Sequence, residues 1–315
     1  MDSQTNLYLE IFNILDFDKI KDHPNILIAA HFWDEERYDA AKTCYRLMRA
    51  IDDLVDNYKT EHIVIAENEK KQLITDVESW IGTILHQSNN SPVTADIVET
   101  FNKFLIPSWP MEAFAKSMIY DINHDGFPTI QSFLDYAQGA SIAPASIFVH
   151  LCGIKKTNGQ YTAPAFDVRE AATSCAIFSY IVHIIRDFQK DQYNHLNYFA
   201  DDILVKNGLN RKKLNDMAHG GKMEEGFRNL IREYYSIADD YRQKTYDMIL
   251  RIKPFLEPRY QLSLEIIFNL YLMVFERIDI KNGSFTGEEL NPTTEEVKKR
   301  VYETIQGFKD SLHHS

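Results

Sequence analysis

Turn-forming residues are scarce in this 315-residue chain, which has 12 glycines and 10 prolines. So few leave little for the many tight turns of a sandwich or barrel, and long helices are favoured instead. Strand patterning is missing too, since no segment alternates apolar and polar residues convincingly with period two. Cysteine is nearly absent. Cys44, Cys152 and Cys175 are widely spaced, form no Cys-x-x-Cys pair and sit in apolar surroundings. That pattern reads as buried, reduced thiols of a cytosolic protein, not as a disulfide framework or a zinc site. Positive charge is short as well: 34 Lys and Arg stand against 46 Asp and Glu, a formal net charge of −12. That sign is wrong for gripping a nucleic-acid backbone, so no nucleic-acid partner is expected. It leaves room for a small anionic ligand, because divalent metals held by carboxylates reverse the local sign.

Targeting signals are missing as well. Residues 1–13 are mixed and acidic, so no signal peptide is expected. The most apolar stretch, 171–185, carries Thr173, Ser174, Ser179 and His183 and is shorter than the ~20 residues of a membrane span. The expectation is a cytoplasmic protein without a transmembrane segment, touching a membrane at most peripherally through an apolar entrance.

What the chain does contain is helix after helix. Ala40, Ala41, Cys44, Leu47, Met48, Ile51 and Val55 recur at three and four, which predicts a helix over 35–58. Similar reasoning predicts helices over 64–86, 95–105, 111–122, 167–191, 223–252 and 259–280. Residues 129–153 read as one or two helices with a kink at Pro144, and 155–164 as a loop. Thr293 and Glu296 form a capping box that opens a last helix. There is no repeat and no linker, so the fold class is all-α, with 1–315 a single domain.

Two carboxylate pairs stand out. Tyr45, Arg49, Asp52 and Asp56 fall at i, i+4, i+7 and i+11 and share one helix face. Two carboxylates four apart can hold a hard cation; Mg²⁺ in particular binds a few carboxylates and lets substrate phosphates complete its shell. A solvated acidic face gives the same pattern. The second set, Tyr180, His183, Asp187 and Asp191, is harder to dismiss, because it ends the most apolar helix, where unpaired carboxylates are costly. If the two helices are neighbours, four carboxylates face one cavity and can ionise a diphosphate ester. Apolar walls would then shelter the carbocation from water.

Four segments together resemble the squalene/phytoene synthase family, the head-to-head branch of the trans-isoprenyl diphosphate synthases. They are Arg49-Ala-Ile-Asp52-Asp53-Leu-Val-Asp56; Asp121 with Tyr136 fifteen residues on; Tyr136-Ala-Gln-Gly139-Ala-Ser-Ile-Ala-Pro-Ala145-Ser; and Arg186-Asp187-Phe-Gln-Lys-Asp191 with Tyr198 seven residues on. The resemblance covers about residues 22–285. It implies a class I terpenoid synthase helical fold with a central cavity. Two prenyl diphosphates, farnesyl or geranylgeranyl, would join through a cyclopropyl intermediate to a squalene- or phytoene-type hydrocarbon. It further implies that Asp52, Asp56, Asp187 and Asp191 hold Mg²⁺, with Mn²⁺ as a substitute, and it leaves NADPH use open. Arg49 and Arg186 would contact diphosphate or brace the carboxylates. Tyr45, Tyr136 and Tyr271 would line the cavity, Tyr136 in a catalytic place, with Gly139 and Tyr198 also at the substrate site. The protein would be a monomer or a homodimer.

The chain departs from the family at three polar positions. His23-Pro24-Asn25 stands where Ser-x-Ser is usual, and His23 and Asn25 are expected to donate hydrogen bonds to substrate. His183 replaces an Asn; its imidazole either reaches phosphate or an Asp, or packs in the core. Leu196 replaces a common Arg. Ile26 and Ala30 stand where aromatics are frequent, which points to room for a C20 chain. Two other readings remain: a class I terpene synthase that cyclises a single prenyl diphosphate, and a non-catalytic assembly factor on the same fold.

Overall fold

The computed structural model of the chain describes residues 3–22, 25–62, 65–85 and 92–313. Helices dominate, as expected. The helix that carries the first Asp pair runs Glu35–Glu61, three residues past the expected end. Asp34 caps it, its carboxylate accepting from the Arg37 backbone N–H at 3.1 Å. Glu35 and Glu36 suit the positive end of the helix dipole. The residues buried along it include the apolar stripe read from the sequence, Ala40 through Val55. Thr293 and Glu296 form the capping box of the final helix, Thr294–His313, with Thr293 N–H donating to Glu296 at 2.8 Å.

Three expectations need correction. The helix expected over 167–191 bends at Asp187, where φ is −91° and ψ is 4°. It divides into Val168–Arg186 and Phe188–Tyr193, although Asp187 N–H still donates to the His183 carbonyl, and Asp191 N–H to the Asp187 carbonyl, each at 2.8 Å. Residues 129–153 form three pieces: Ile130–Ala137, a π-helical turn Gln138–Ile142, and Ala143–Gly153. Pro144 sits in the first turn of the third piece, so the irregularity precedes it. Finally, the supposed loop after residue 154 is a β-hairpin, Lys155–Thr157 paired antiparallel with Gln160–Thr162. Its turn is Asn158-Gly159 with φ of 52° and 81°, the dipeptide that a two-residue hairpin turn prefers.

Val168–Arg186 is the central helix. Ala171 and Ala172 join one apolar cluster, while Phe178, Ile181 and Ile185 join a second. Those last three are wholly buried, each contributing roughly 1.5–3 kcal/mol of burial. Among the described residues this is the one helix long and apolar enough to cross a membrane. It packs against Glu225–Ile252 on one side and Ala143–Gly153 on another. Helix Glu35–Glu61 packs on Trp109–Asn123 and on Ala143–Gly153. The two Asp-bearing helices are thereby held around a common space.

Candidate active site

That space is a cavity of about 720 Å³, within the range of sites that bury a small ligand. Its inner part is apolar, walled by residues such as Leu27, Met48, Phe148, Ala172, Ile249 and Leu264. Its outer part is ionic. Tyr45, Arg49, Asp52 and Asp56 line one side, and His183, Arg186, Asp187 and Asp191 line the other. Thus the helical spacing that put each set on one face also aims both faces inward.

The charges at the mouth do not balance internally. Burial, and then the charge of Asp56, push Asp52 up to about 7. Burial also raises Asp56, against the pull of Lys59 and Arg49. Burial and then Asp187 push Asp191 up to about 8, and Asp56 on the other wall adds to it. The two pairs therefore feel each other across the cavity. Asp187 differs. Burial would raise it, but Arg186 outweighs burial and holds it below the usual range. Arg186 grips both carboxylate oxygens of Asp187, at 2.7 and 2.6 Å. Arg49 binds Asp52 at 2.9 Å and also Asp53.

This donor set fits a hard divalent cation that substrate oxygens complete. Among the described residues no three or more His, Cys, Asp or Glu side chains gather into a ready-made metal cluster. A closed structural site of the zinc kind would need such a cluster. Magnesium does not, because it is commonly held by one or two carboxylates plus waters and phosphate. A cation between the members of each pair would offset the burial and the mutual repulsion that raise Asp52 and Asp191.

Behind the mouth lies an aromatic and ionic brace. Tyr136 donates its hydroxyl to the Asp121 carboxylate. Asp121 lies 3.6 Å from Lys59, which donates to the His124 carbonyl at 3.0 Å. Burial lifts Asp121 to about 6 against the pull of Lys59 and Tyr136. The sequence spacing of Asp121 and Tyr136 thus marks a direct hydrogen bond. Tyr136, Tyr180 and Tyr198 all reach the cavity wall, with ring centroids 6.3 Å apart from Tyr136 to Tyr180 and from Tyr180 to Tyr198. Tyr271 lines the cavity too, edge-on to His183 at 5.0 Å. His183 Nε2 is buried without a hydrogen-bond partner. Burial, aided by Arg186, pushes the imidazole down to about 3, so it is neutral at physiological pH.

Some expected residues lie elsewhere. Gly139 sits in the π turn off the cavity wall; a Cβ there would overlap the Ala113 carbonyl and the Ser117 hydroxyl. Its place is the contact with helix Trp109–Asn123. Asn25 is half-buried at the start of helix Asn25–Ala30 and is not on the wall, whereas Ile26 and Leu27 are. Ala30 is fully buried and off the wall. His23 lies outside the described residues. Leu196 does line the cavity. The sequence reading missed Asn57, Thr60, Lys190 and Asn194, which also line it. Helical spacing could have found them: Thr60 lies one turn past Asp56, and Asn194 one turn past Asp191.

A family model described as squalene/phytoene synthase matches residues 21–298. Among solved structures, a dehydrosqualene synthase in complex with ligand superposes with a TM-score of 0.68 at 13% identity, covering 99% of this chain and 100% of that one. YisP from Bacillus subtilis subsp. subtilis strain 168 gives 0.61 at 12% identity, covering 96% and 99%. Squalene synthase HpnC from Alicyclobacillus acidocaldarius gives 0.54 at 11% identity, covering 76% and 93%. At such identities these likenesses concern the fold. No curated protein sequence matches the chain.

Proposed function

The chain belongs to the squalene/phytoene synthase family, and from that premise we propose that it condenses two prenyl diphosphates head to head, through a cyclopropyl intermediate, into a C30 or C40 hydrocarbon. The family is one of prenyltransferase-type enzymes of isoprenoid synthesis that ionise diphosphates. The observation that carries the proposal is the pair of aspartate sets facing each other across one cavity with an apolar interior. Asp52 and Asp56, with Asp187 and Asp191, would hold Mg²⁺, or Mn²⁺ in its place. Bound there, the metal supplies charge neutralisation for the departing diphosphate.

The chain's own groups do the rest. Arg49 and Arg186 fix the orientation of Asp52 and Asp187. Tyr136 cannot turn its hydroxyl toward the substrate while it bonds Asp121, so it offers its ring. Ring faces of Tyr136, Tyr180 and Tyr198 stabilise a nearby cation through their quadrupoles. Tyr45 and Tyr271 line the same space from the other helices. Apolar walls keep water from the carbocation. His183 stays neutral and so adds no repulsion to that cation. Gly139 acts by letting two helices approach, not by touching substrate. Of the two positions that pointed to a C20 chain, Ile26 alone bears on the cavity.

Incubation with farnesyl or geranylgeranyl diphosphate and Mg²⁺, with and without NADPH, followed by mass spectrometry, tests the proposal. A C30 or C40 hydrocarbon is expected, and its NADPH dependence reports whether hydride ends the reaction. A cyclic C15 or C20 product would replace this reading with a single-substrate cyclase. No pyrophosphate release from any prenyl donor would leave the non-catalytic role.

A further inference from the structure

Four basic side chains line the cavity: Arg49, His183, Arg186 and Lys190. Three of them are already engaged or discharged. Arg49 is tied to Asp52 and Asp53, and Arg186 is chelated to Asp187. His183 is buried and neutral. Lys190 alone among them, within the described residues, makes neither a hydrogen bond nor an ion pair through its ammonium, although it is flanked by two aspartates of the site. It lies three residues past the bend at Asp187, in the short helix Phe188–Tyr193, and it is exposed at the mouth. Asp56 on the opposite wall is within its electrostatic reach, as are Asp187 and Asp191 on its own. The two cations lie on either side of the bend: Arg186 is taken up by its neighbour Asp187, while Lys190 lines the cavity and is exposed.

We propose that Lys190 is the direct diphosphate anchor of the second wall, the uncommitted cation that grips a substrate phosphate oxygen at the mouth while Arg49 and Arg186 serve the carboxylates. A lone ammonium suits this task. It is a compact charge on a flexible stem that can follow a phosphate without a fixed fork geometry. An arginine already chelated by a carboxylate must break two charge-assisted bonds before it can bind phosphate, which Lys190 need not do. The consequence is a division of roles. The arginines set the shape of the aspartate pairs, and Lys190 sets how tightly the anionic head of the substrate is held. The inference rests on the proposed diphosphate chemistry, yet it can be read without turnover.

The test is calorimetric titration of the full-length protein with inorganic pyrophosphate in excess MgCl₂, for wild type, Lys190→Met and Lys190→Arg. Lys190→Met is expected to weaken pyrophosphate binding about tenfold, near the scale of one charge-assisted contact, and Lys190→Arg to stay within about twofold. The wild-type affinity should also fall more steeply with added NaCl than that of Lys190→Met. In steady state with a prenyl diphosphate, Lys190→Met should raise KM with kcat nearly unchanged. Equal pyrophosphate affinity in wild type and Lys190→Met overturns the inference, as does equal loss in Met and Arg variants, which would signal packing and not charge. Wild type that binds Mg²⁺ and pyrophosphate but turns over no prenyl diphosphate sinks the proposed reaction, while the same titration still decides Lys190.

Discussion

Arg186 chelates the carboxylate of its own neighbour in the chain: its Nε donates to one oxygen of Asp187 at 2.7 Å and its Nη2 to the other at 2.6 Å. A fork that matches both oxygens needs the planar guanidinium. Arg186→Lys should therefore fail to rescue the site. Both Arg186→Lys and Arg186→Gln are expected to lower kcat/KM by roughly a hundredfold, about 2.7 kcal/mol of transition-state stabilisation. Comparing the two variants in steady state checks this; a lysine variant near wild type would mean that charge alone suffices.

Crowded carboxylates make the metal-free protein pH-sensitive in an unusual direction. Asp52 sits at about 7 and Asp191 at about 8, both above the ordinary carboxylate value. A raised carboxylate stays protonated in the folded state after the unfolded chain has released its proton. Its contribution is thus complete below about 4 and is lost as pH rises through about 7 to 8. Melting temperature without divalent metal should fall across that window, and saturating Mg²⁺ should flatten the fall. Asp191→Asn should melt higher than wild type at pH 8 without metal, by about 2 °C, while abolishing Mg²⁺-dependent activity. Scanning calorimetry with EDTA and with MgCl₂ reads both.

His183 carries the opposite sign. Its folded value is pushed down to about 3, so the unfolded chain takes up a proton near 6.5 while the folded protein does not. Stability from this group is full above about 6.5 and is lost as pH falls toward about 3. His183→Leu removes that loss, and it breaks no hydrogen bond of Nε2. The variant should melt close to wild type at pH 8 and above it at pH 5. Melts at the two pH values decide; a variant destabilised equally at both would show that the imidazole is needed for packing.

Gly139→Ala separates packing from substrate contact. The added methyl would overlap the Ala113 carbonyl, which no side-chain motion can clear. Overpacking of this kind costs about 1–3 kcal/mol. The expected result is a lower urea midpoint with KM for prenyl diphosphate nearly unchanged. A raised KM at unchanged stability would instead return Gly139 to the binding surface.

How far the sequence could be read depended on scale. The long helices carried their own signals, in the Ala40–Val55 stripe and the Thr293–Glu296 box. Both aspartate pairs followed from helical spacing, and Asp121 with Tyr136 from separation alone. Other features depended on contacts that a local window cannot see. No Gly or Pro announces the bend at Asp187, because the chain keeps its hydrogen bonds through it. The hairpin did have a signal, Asn158-Gly159, but its flanks Lys-Lys-Thr and Gln-Tyr-Thr are mostly exposed and show no clear alternation. Ile26 and Ala30 are one turn apart and read together as leaving room for a longer chain. Only Ile26 meets the cavity, while the far end of the short helix packs on Pro258–Phe275, where Ser263 donates to the Ala29 carbonyl at 2.7 Å.

The brace of Lys59, Asp121 and Tyr136 joins three helices at one level: Glu35–Glu61, Trp109–Asn123 and Ile130–Ala137. Lys59 is also three residues past Asp56, so the strut bears on the helix that presents the first pair. A wall held by such a crosspiece is set when the chain folds, before any ligand arrives. The first pair is thus offered on a pre-set shelf, and a headgroup meets it without waiting for that helix to move.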